Sequence, residues 1–161
     1  MKTGPDGIHL MHYFEGCRLE AYPDPATGGD PWTIGWGETG SHVKEGMVIT
    51  QEQADEMFVK RLAREFEPGV ESAIRSGTTQ GQFDALVAFS FNVGLGNLRG
   101  STLLKLHNAG NYDAADDEFI RWNKANGKPM KGLSRRRWAE RGVYSGLEAD
   151  EAISIALSMY P

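Results

Sequence analysis

Glu15, Asp24 and Thr33 are the residues whose types and spacing could do chemistry. Glu15 closes an apolar-periodic segment, Asp24 follows nine residues later in a turn between Pro23 and Pro25, and Thr33 opens the short stretch Trp32-Thr33-Ile34-Gly35-Trp36-Gly37. Cleaving a glycosidic bond calls for an acid that protonates the leaving oxygen and a carboxylate across the bond that assists water or stabilises the cation. Such an acid must hold its proton near neutral pH, which apolar surroundings or negative potential favour. A helix ending at Glu15 would supply that potential from its unsatisfied carbonyls. A threonine beside a carboxylate can hold and orient a water. Each residue also has a plainer reading. A glutamate can simply end a helix, a turn aspartate can cap its own backbone, and a threonine can open a strand. Asp30 rivals Asp24, because it precedes Thr33 in the same loop.

These residues need elements to position them. Thr3 as a cap, Pro5 in the first turn, and Ile8, Met11 and Phe14 on one face predict a helix from Thr3 to Glu15. From Leu19 to Val48, six glycines and three prolines separate short aromatic or β-branched pieces, the pattern of a small antiparallel sheet. Thr50-Gln51-Glu52-Gln53 reads as a capping box opening a helix through about Phe66, with a stop or kink at Pro68. Beyond Gly77 the pattern is helical almost to the end. The run from Phe83 to Val93 is apolar enough to be a central buried helix. Ser101, Asn111 and Ser134 are candidate caps, and Gly94, Gly110 and Gly146 candidate helix ends. The fold class expected is α+β and mainly helical. It is one domain over 1–161, with a small β-containing lobe at about 15–50, a helical lobe at about 51–161 that takes in the N-terminal helix, and a cleft between them.

The chain has 161 residues, enough for a core without disulfides or metal. A formal net charge of -5 argues against nucleic acid as a partner. The cations are nonetheless uneven. Between Arg121 and Arg141 eight basic residues face one acid, a local balance of +7. Two readings stay open: a solvated face paired to acids elsewhere, or a surface, Arg135 and Arg136 included, that attracts an anionic polymer. Cys17 is the only cysteine, which fits synthesis in a reducing compartment. Met1 to Asp6 lacks the apolar run of a secretory signal, and no stretch reaches the length of a membrane span. His9 and His12 lie one helical turn apart without a third ligand to complete a zinc site.

Three segments together resemble the phage-type lysozymes, the endolysins of glycoside hydrolase family 24. The first is Phe14-Glu15-Gly16, then Leu19, Ala21, Tyr22 and Asp24, then Trp32 to Gly37. The second is Gln82-Phe83-Asp84-Ala85-Leu86-Val87 with Phe91-Asn92-Val93-Gly94. The third is Gly132-Leu133-Ser134-Arg135-Arg136 leading to Glu140. The resemblance implies a lysozyme-like fold and hydrolysis of the β-1,4 bond between N-acetylmuramic acid and N-acetylglucosamine in bacterial peptidoglycan. It implies Glu15 as acid, Asp24 assisting water, Thr33 positioning that water, and Asn92 contacting substrate. It also implies inversion, and synthesis in the host cytoplasm with access to the wall through a holin. Two carboxylates and water call for no cofactor or metal, and a monomer without stable membrane insertion is expected. Two positions depart from the pattern. The Asp24–Thr33 loop is longer than in compact members, and Glu38 stands where many relatives carry histidine.

Overall fold

The computed structural model describes residues 1–161, and they divide into two compact units. One runs from His12 to Arg64, and the other combines Met1–Met11 with Glu65–Pro161.

The smaller unit is built on a three-stranded antiparallel sheet ordered β1-β2-β3: β1 (Arg18–Tyr22), β2 (Thr33–Gly35) and β3 (Glu38–Thr39). Arg18 pairs with Gly35 and Tyr22 with Thr33, so β1 spends more residues than β2 between the same two rungs. Such a bulge bends the strand and sharpens its twist. The outer edge of β1 is covered: Ala21 N–H donates to the Met47 carbonyl, and Ile49 N–H to that of Leu19, at 2.9 Å each. Next comes helix α2 (Gln51–Arg61). Thr50 accepts from Gln53 N–H at 3.1 Å while the Gln53 side chain accepts from Thr50 N–H at 2.8 Å. This reciprocal cap satisfies two amides that the first turn would leave open. Ala54 of α2 joins Ala21, Ile34, Val43 and Ile49 in one core, flanked by Trp32, Trp36 and Met57. The helix therefore packs with the sheet, and the smaller unit runs to Arg64 instead of ending near residue 50.

Helix α1 (Pro5–Phe14) begins in the larger unit. Thr3 does not cap it. Its hydroxyl and amide both donate to Glu67, at 2.7 and 3.0 Å. The expected helix through Phe66 instead ends as α2 at Arg61, continues as a π-helical turn over Leu62–Phe66, and gives way to α3 (Glu67–Ala73). Pro68 explains the new start, since proline fits the first turn of a helix, where no intrahelical donor is needed.

The centre of the larger unit is α4 (Gln80–Val93). Thr79 and Gln82 form its capping box, Phe83, Leu86, Val87 and Phe89 have no exposure, and Gly94 ends it at a φ of 97°. Each such side chain contributes about 1.5–3 kcal/mol by leaving water. Phe89 meets Phe119 and Trp122 edge-on, with centroids 5.6 and 5.4 Å away. Short helices α5 (Leu95–Arg99), α6 (Thr102–Asn108) and α7 (Tyr112–Glu118) precede a 3-10 turn at Phe119–Arg121. Ser101 caps α6 by accepting from Leu104 N–H at 3.0 Å. Asn111 stands at the cap of α7 but makes no capping bond with its side chain.

A two-stranded hairpin then interrupts the run expected to be helical: β4 (Lys124–Ala125) and β5 (Lys128–Pro129). Asn126 and Gly127 turn it with φ of 52° and 75°, the signs a tight two-residue hairpin turn requires. Helix α8 (Lys131–Tyr144) starts from an extended Met130, so Ser134 is not its cap. Ser134 lies buried inside the helix and accepts from the Asn123 amide at 3.2 Å. Helix α9 (Ala149–Met159) closes the chain. Near the start of α4, a Cβ on Gly81 would lie 2.6 Å from the Val143 carbonyl oxygen of α8, so backbone meets helix there with no room between. No helix is long and apolar enough to cross a membrane.

Candidate active site

Glu15 is the first residue past α1 and is half-buried. The segment around it is held from both sides. One turn earlier, the His12 ring stacks on Trp36, with centroids 3.7 Å apart and planes 4° from parallel, while Phe58 tilts against it at 4.6 Å. The Trp36 indole N–H donates to Asp55 Oδ1 at 2.8 Å, and Gln51 donates to the same oxygen at 2.9 Å. Two residues after Glu15, Cys17 Sγ lies 3.7 Å from the Gln51 amide. His12 and Cys17, on either side of Glu15, thus rest on one wall of Trp36, Asp55 and Gln51. The bonds from Trp36 and then Gln51 favour the ionised carboxylate, holding Asp55 below its ordinary range. Asp55 is an anchor, and it stays charged.

Asp24 organises the ten-residue connection from β1 to β2. Its carboxylate accepts from Ala26 N–H at 2.7 Å, the local turn that aspartate favours. Its carbonyl accepts from Gly28 N–H at 2.8 Å and Thr27 N–H at 3.2 Å, and its own N–H donates to Gly29 at 3.0 Å. Asp30, by contrast, is exposed. It takes part in the loop through its backbone carbonyl, which accepts from the Thr27 hydroxyl at 2.6 Å. Thr33 is half-buried in the first position of β2, opposite Tyr22 on one side and Thr39 on the other. Asp24 lies two residues past the Tyr22–Thr33 rung, so Asp24 and Thr33 share one end of the β1–β2 pair. Glu15 precedes the other end, and the bulged strand runs between.

Asn92 belongs to the other unit. It is the penultimate residue of α4, exposed, and lines a cavity of about 430 Å³ with Asn97, Arg121 and Trp122. Its Oδ1 accepts from Arg137 Nη2 at 2.7 Å. Arg137 is fully buried, with its guanidinium 5.1 Å from the Phe89 ring centre, and it donates to Glu140 Oε2 at 3.2 Å. Arg137 Nε also approaches Glu140 Oε1 to 2.8 Å, off the hydrogen-bond axis, so this second contact is an ion pair without a bond. Burial pushes the Glu140 carboxyl up and the Arg137 guanidinium down, and their mutual attraction opposes both shifts.

The phage lysozyme family model matches residues 12–140. The chain belongs to the phage lysozyme family. It is 44% identical over 144 residues to the endolysin of Bacillus phage B103, across 89% of this chain and 54% of that protein. The chain thus spans about half the length of that relative. An endolysin of Acyrthosiphon pisum secondary endosymbiont phage 1 is 39% identical over 148 residues, covering 89% of this chain and 98% of the other. Among solved structures, the muramidase domain of SpmX from Asticaccaulis excentricus superposes with a TM-score of 0.79 at 33% identity, over 89% of this chain and 97% of that one. The α+β, mainly helical fold is that of this family of lysozymes.

Glu38, too, has a defined place. It is buried at 7% exposure, within 3.6 Å of Arg64 and 3.5 Å of His42, while Arg61 Nη1 donates to the neighbouring Gly37 carbonyl at 3.1 Å. The acid thus has the Arg64 guanidinium, from the π-helical turn after α2, and the His42 ring, from the loop after β3, within ion-pair distance. Gln51 and Asp55 escaped the sequence reading. Their four-residue spacing puts them on one face of α2, but nothing in it reveals that Trp36 is the partner.

The basic run from Arg121 to Arg141 needs correcting. Arg136 is 7% exposed and Arg137 not at all, and Arg136 Nε lies 3.5 Å from Glu140. Arg141 pairs with Asp116 at 2.9 Å and Asp117 at 2.6 Å, and Arg121 with Glu118 at 3.4 Å. Arg135 donates to the Tyr160 carbonyl and Lys131 to that of Pro161, at 2.6 and 2.7 Å. Most of the run therefore holds the helical unit together, and Arg136 cannot be an outward-facing wall contact.

Proposed function

We propose that this chain is a peptidoglycan hydrolase, a muramidase that cleaves the β-1,4 bond between N-acetylmuramic acid and N-acetylglucosamine during phage-induced lysis. The observation that carries the reading is the smaller unit of a phage lysozyme chain. It combines a carboxylate at the end of a braced helix, a second carboxylate fixed by its own turn, and a hydroxyl one strand away.

Glu15 donates the proton to the departing sugar oxygen, and the His12–Trp36–Asp55 wall keeps its helix end in place. Asp24 assists the attacking water. Its turn bond from Ala26 engages Oδ1 and leaves Oδ2 to accept, so it can orient a water as well as its own backbone. Thr33 positions that water from the neighbouring strand. A water held by Asp24 and Thr33 attacks the face opposite the leaving group, giving inversion without a covalent intermediate. Asn92, oriented by Arg137, contacts the sugar chain. The chain needs no cofactor, acts as a monomer, is made in the host cytoplasm, and reaches the wall once a holin has permeabilised the membrane.

The test is mass analysis of purified peptidoglycan after digestion. Hydrolysis leaves fragments ending in reducing muramic acid, heavier by one water than the anhydro-muramic ends left by a transglycosylase. Anhydro ends alone would overturn the hydrolytic roles of Asp24 and Thr33. An anomeric signal retained in the first-formed product would overturn inversion.

A further inference from the structure

The cations that the long basic run suggested for binding are mostly paired, but another set is not. Arg75, Arg99 and Lys105 come from three separate places in the chain, and all line one open cavity of about 480 Å³ with Ser72, Ser101 and Asn108. No aspartate or glutamate lines it. All three are exposed, and none has an acidic partner within ion-pair distance. In a protein of net charge -5, three cations lining one pocket without an acid give it a locally positive potential. An anion placed among them would be attracted by all three.

The pocket is built on fixed backbone. Asn108 Oδ1 accepts from Arg75 N–H at 2.8 Å, and its amide donates to the Ala73 carbonyl at 2.9 Å, so one side chain of α6 clamps the chain on leaving α3. Ser101 holds the start of α6 with Oγ, accepting from Leu104 N–H at 3.0 Å and donating to Leu98 at 2.6 Å. Arg99, the last residue of α5, lies just before that cap, with Nη2 3.3 Å from where a Cβ on Gly69 would stand. The three cations thus hang from helix ends whose backbones are tied to one another, which lowers the entropy lost when an anion orders them.

We propose that Arg75, Arg99 and Lys105 form a second, non-catalytic site for a phosphate group carried by a wall polymer. Phosphate fits better than carboxylate. One guanidinium fork already satisfies the two oxygens of a carboxylate, whereas a phosphate presents more acceptors and can use several cations at once. The site lies wholly in the larger unit, whereas Glu15, Asp24 and Thr33 belong to the smaller one. It rests on the muramidase reading only for the identity of the polymer. By adding a weak contact to the catalytic one, it would raise the local concentration of enzyme on the wall.

The experiment has two arms, using the whole chain and the variants Arg75→Gln/Arg99→Gln and Lys105→Gln, each checked for folding by circular dichroism. In the first, inorganic phosphate is titrated against ¹⁵N-labelled protein at constant ionic strength set with chloride. Saturable shifts at the Arg75 and Arg99 amides and side-chain Nε–H signals are expected, with affinity weakened roughly tenfold or more in the double variant. Linear shifts, or equal shifts with chloride, overturn the site. In the second arm, co-sedimentation is measured on walls that keep their phosphodiester polymer and on walls stripped of it. The native chain should be retained better on the first, the double variant equally on both, and the difference should shrink with salt as screening shortens the field to within about 8 Å at physiological strength. Saturable phosphate binding with no difference between walls overturns the polymer and leaves a site for free phosphate. Hydrolysis of phosphate-free peptidoglycan should be the same for native and variant chains. If that hydrolysis is absent altogether, the muramidase reading fails while the phosphate arm still reads the site.

Discussion

In the larger unit, Glu140 sits in the middle of α8 with no exposure, gripped by Arg137 one turn away and by Arg136. In the smaller unit, Glu15 and Asp24 stand where elements stop, one past the end of α1 and one beyond β1, and both are half-buried. The residue types are the same and the positions are not. Inside a helix the backbone is already satisfied, so a buried acid can be compensated only by other side chains and is committed to them. At an element's end, backbone amides do part of the work, as Ala26 does for Asp24, and the carboxylate stays reachable by solvent. On the proposed assignment, the carboxylates that act on substrate stand at ends, and the structural one sits in the middle.

Substitutions can break that contrast, and the largest expected effect is at Glu15. Glu15→Gln keeps the shape and removes the proton, so turnover on peptidoglycan should fall by roughly 10²–10⁴-fold while thermal unfolding stays unchanged. A variant that melts early and retains its turnover would place Glu15 with Glu140 as a structural acid. Glu140→Leu is the mirror experiment. It strands Arg137 in the interior, which should cost about 3–5 kcal/mol and lower the melting temperature by roughly 6–20 °C. Arg137→Leu/Glu140→Leu should recover part of that loss, because Arg137 is no longer a lone charge, while Arg136 still loses its contact with Glu140. If the double variant is no more stable than the single one, the pair is holding more than its own charge.

Asp24 and Asp30 sharpen the contrast within a single loop. Asp24→Asn should lower turnover by roughly 10²-fold, and Asp30→Asn far less, both measured with folding matched. A deeper loss at Asp30 would exchange their roles and show that a carboxylate fixed by its own turn is too committed to act. The smallest expected effect concerns His107, which is fully buried, with Nδ1 2.6 Å from the Tyr144 hydroxyl and Nε2 2.9 Å from that of Thr78. Burial holds its pKa below the ordinary 6.5. The unfolded chain therefore takes up a proton first as pH falls, and stability should decline below about pH 6.5 until the folded pKa is passed. A melting curve of His107→Gln should be flatter than that of the parent across this range. Parallel curves would mean that the ring is not held neutral by burial.

Much of this was legible in the sequence because it is local. Thr50 and Thr79 each stand three residues before a glutamine and form the reciprocal caps their spacing implies. The turn-rich stretch from Leu19 to Val48 holds the three-stranded sheet. Glu15 falls at a helix end as its pattern suggested. What failed depended on distant partners. Ser134 resembles a cap by type, but its place is decided by burial and by Asn123. The arginines of α8 look like a basic surface until Glu140, Asp116, Asp117 and the Tyr160 carbonyl are placed beside them. The hairpin at Asn126-Gly127 did carry a signal. It was lost among helical neighbours because two-residue strands offer no alternation to read. The Trp36–Asp55 bond joins a sheet end to a helix face, a distance no periodicity spans.

The close approach at Gly81 matters to anyone seeking a hardier protein. A routine recipe replaces helical glycines by alanine, to gain about 0.4–1 kcal/mol by restricting the unfolded chain. Gly132, in the first turn of α8 with nothing within 4 Å of where a Cβ would stand, suits that recipe. Gly81 looks the same in a propensity table, yet its new methyl would meet a carbonyl oxygen 2.6 Å away that belongs to another helix's backbone and cannot swing aside. Thermostabilising libraries for this chain should be free at the first position and silent at the second.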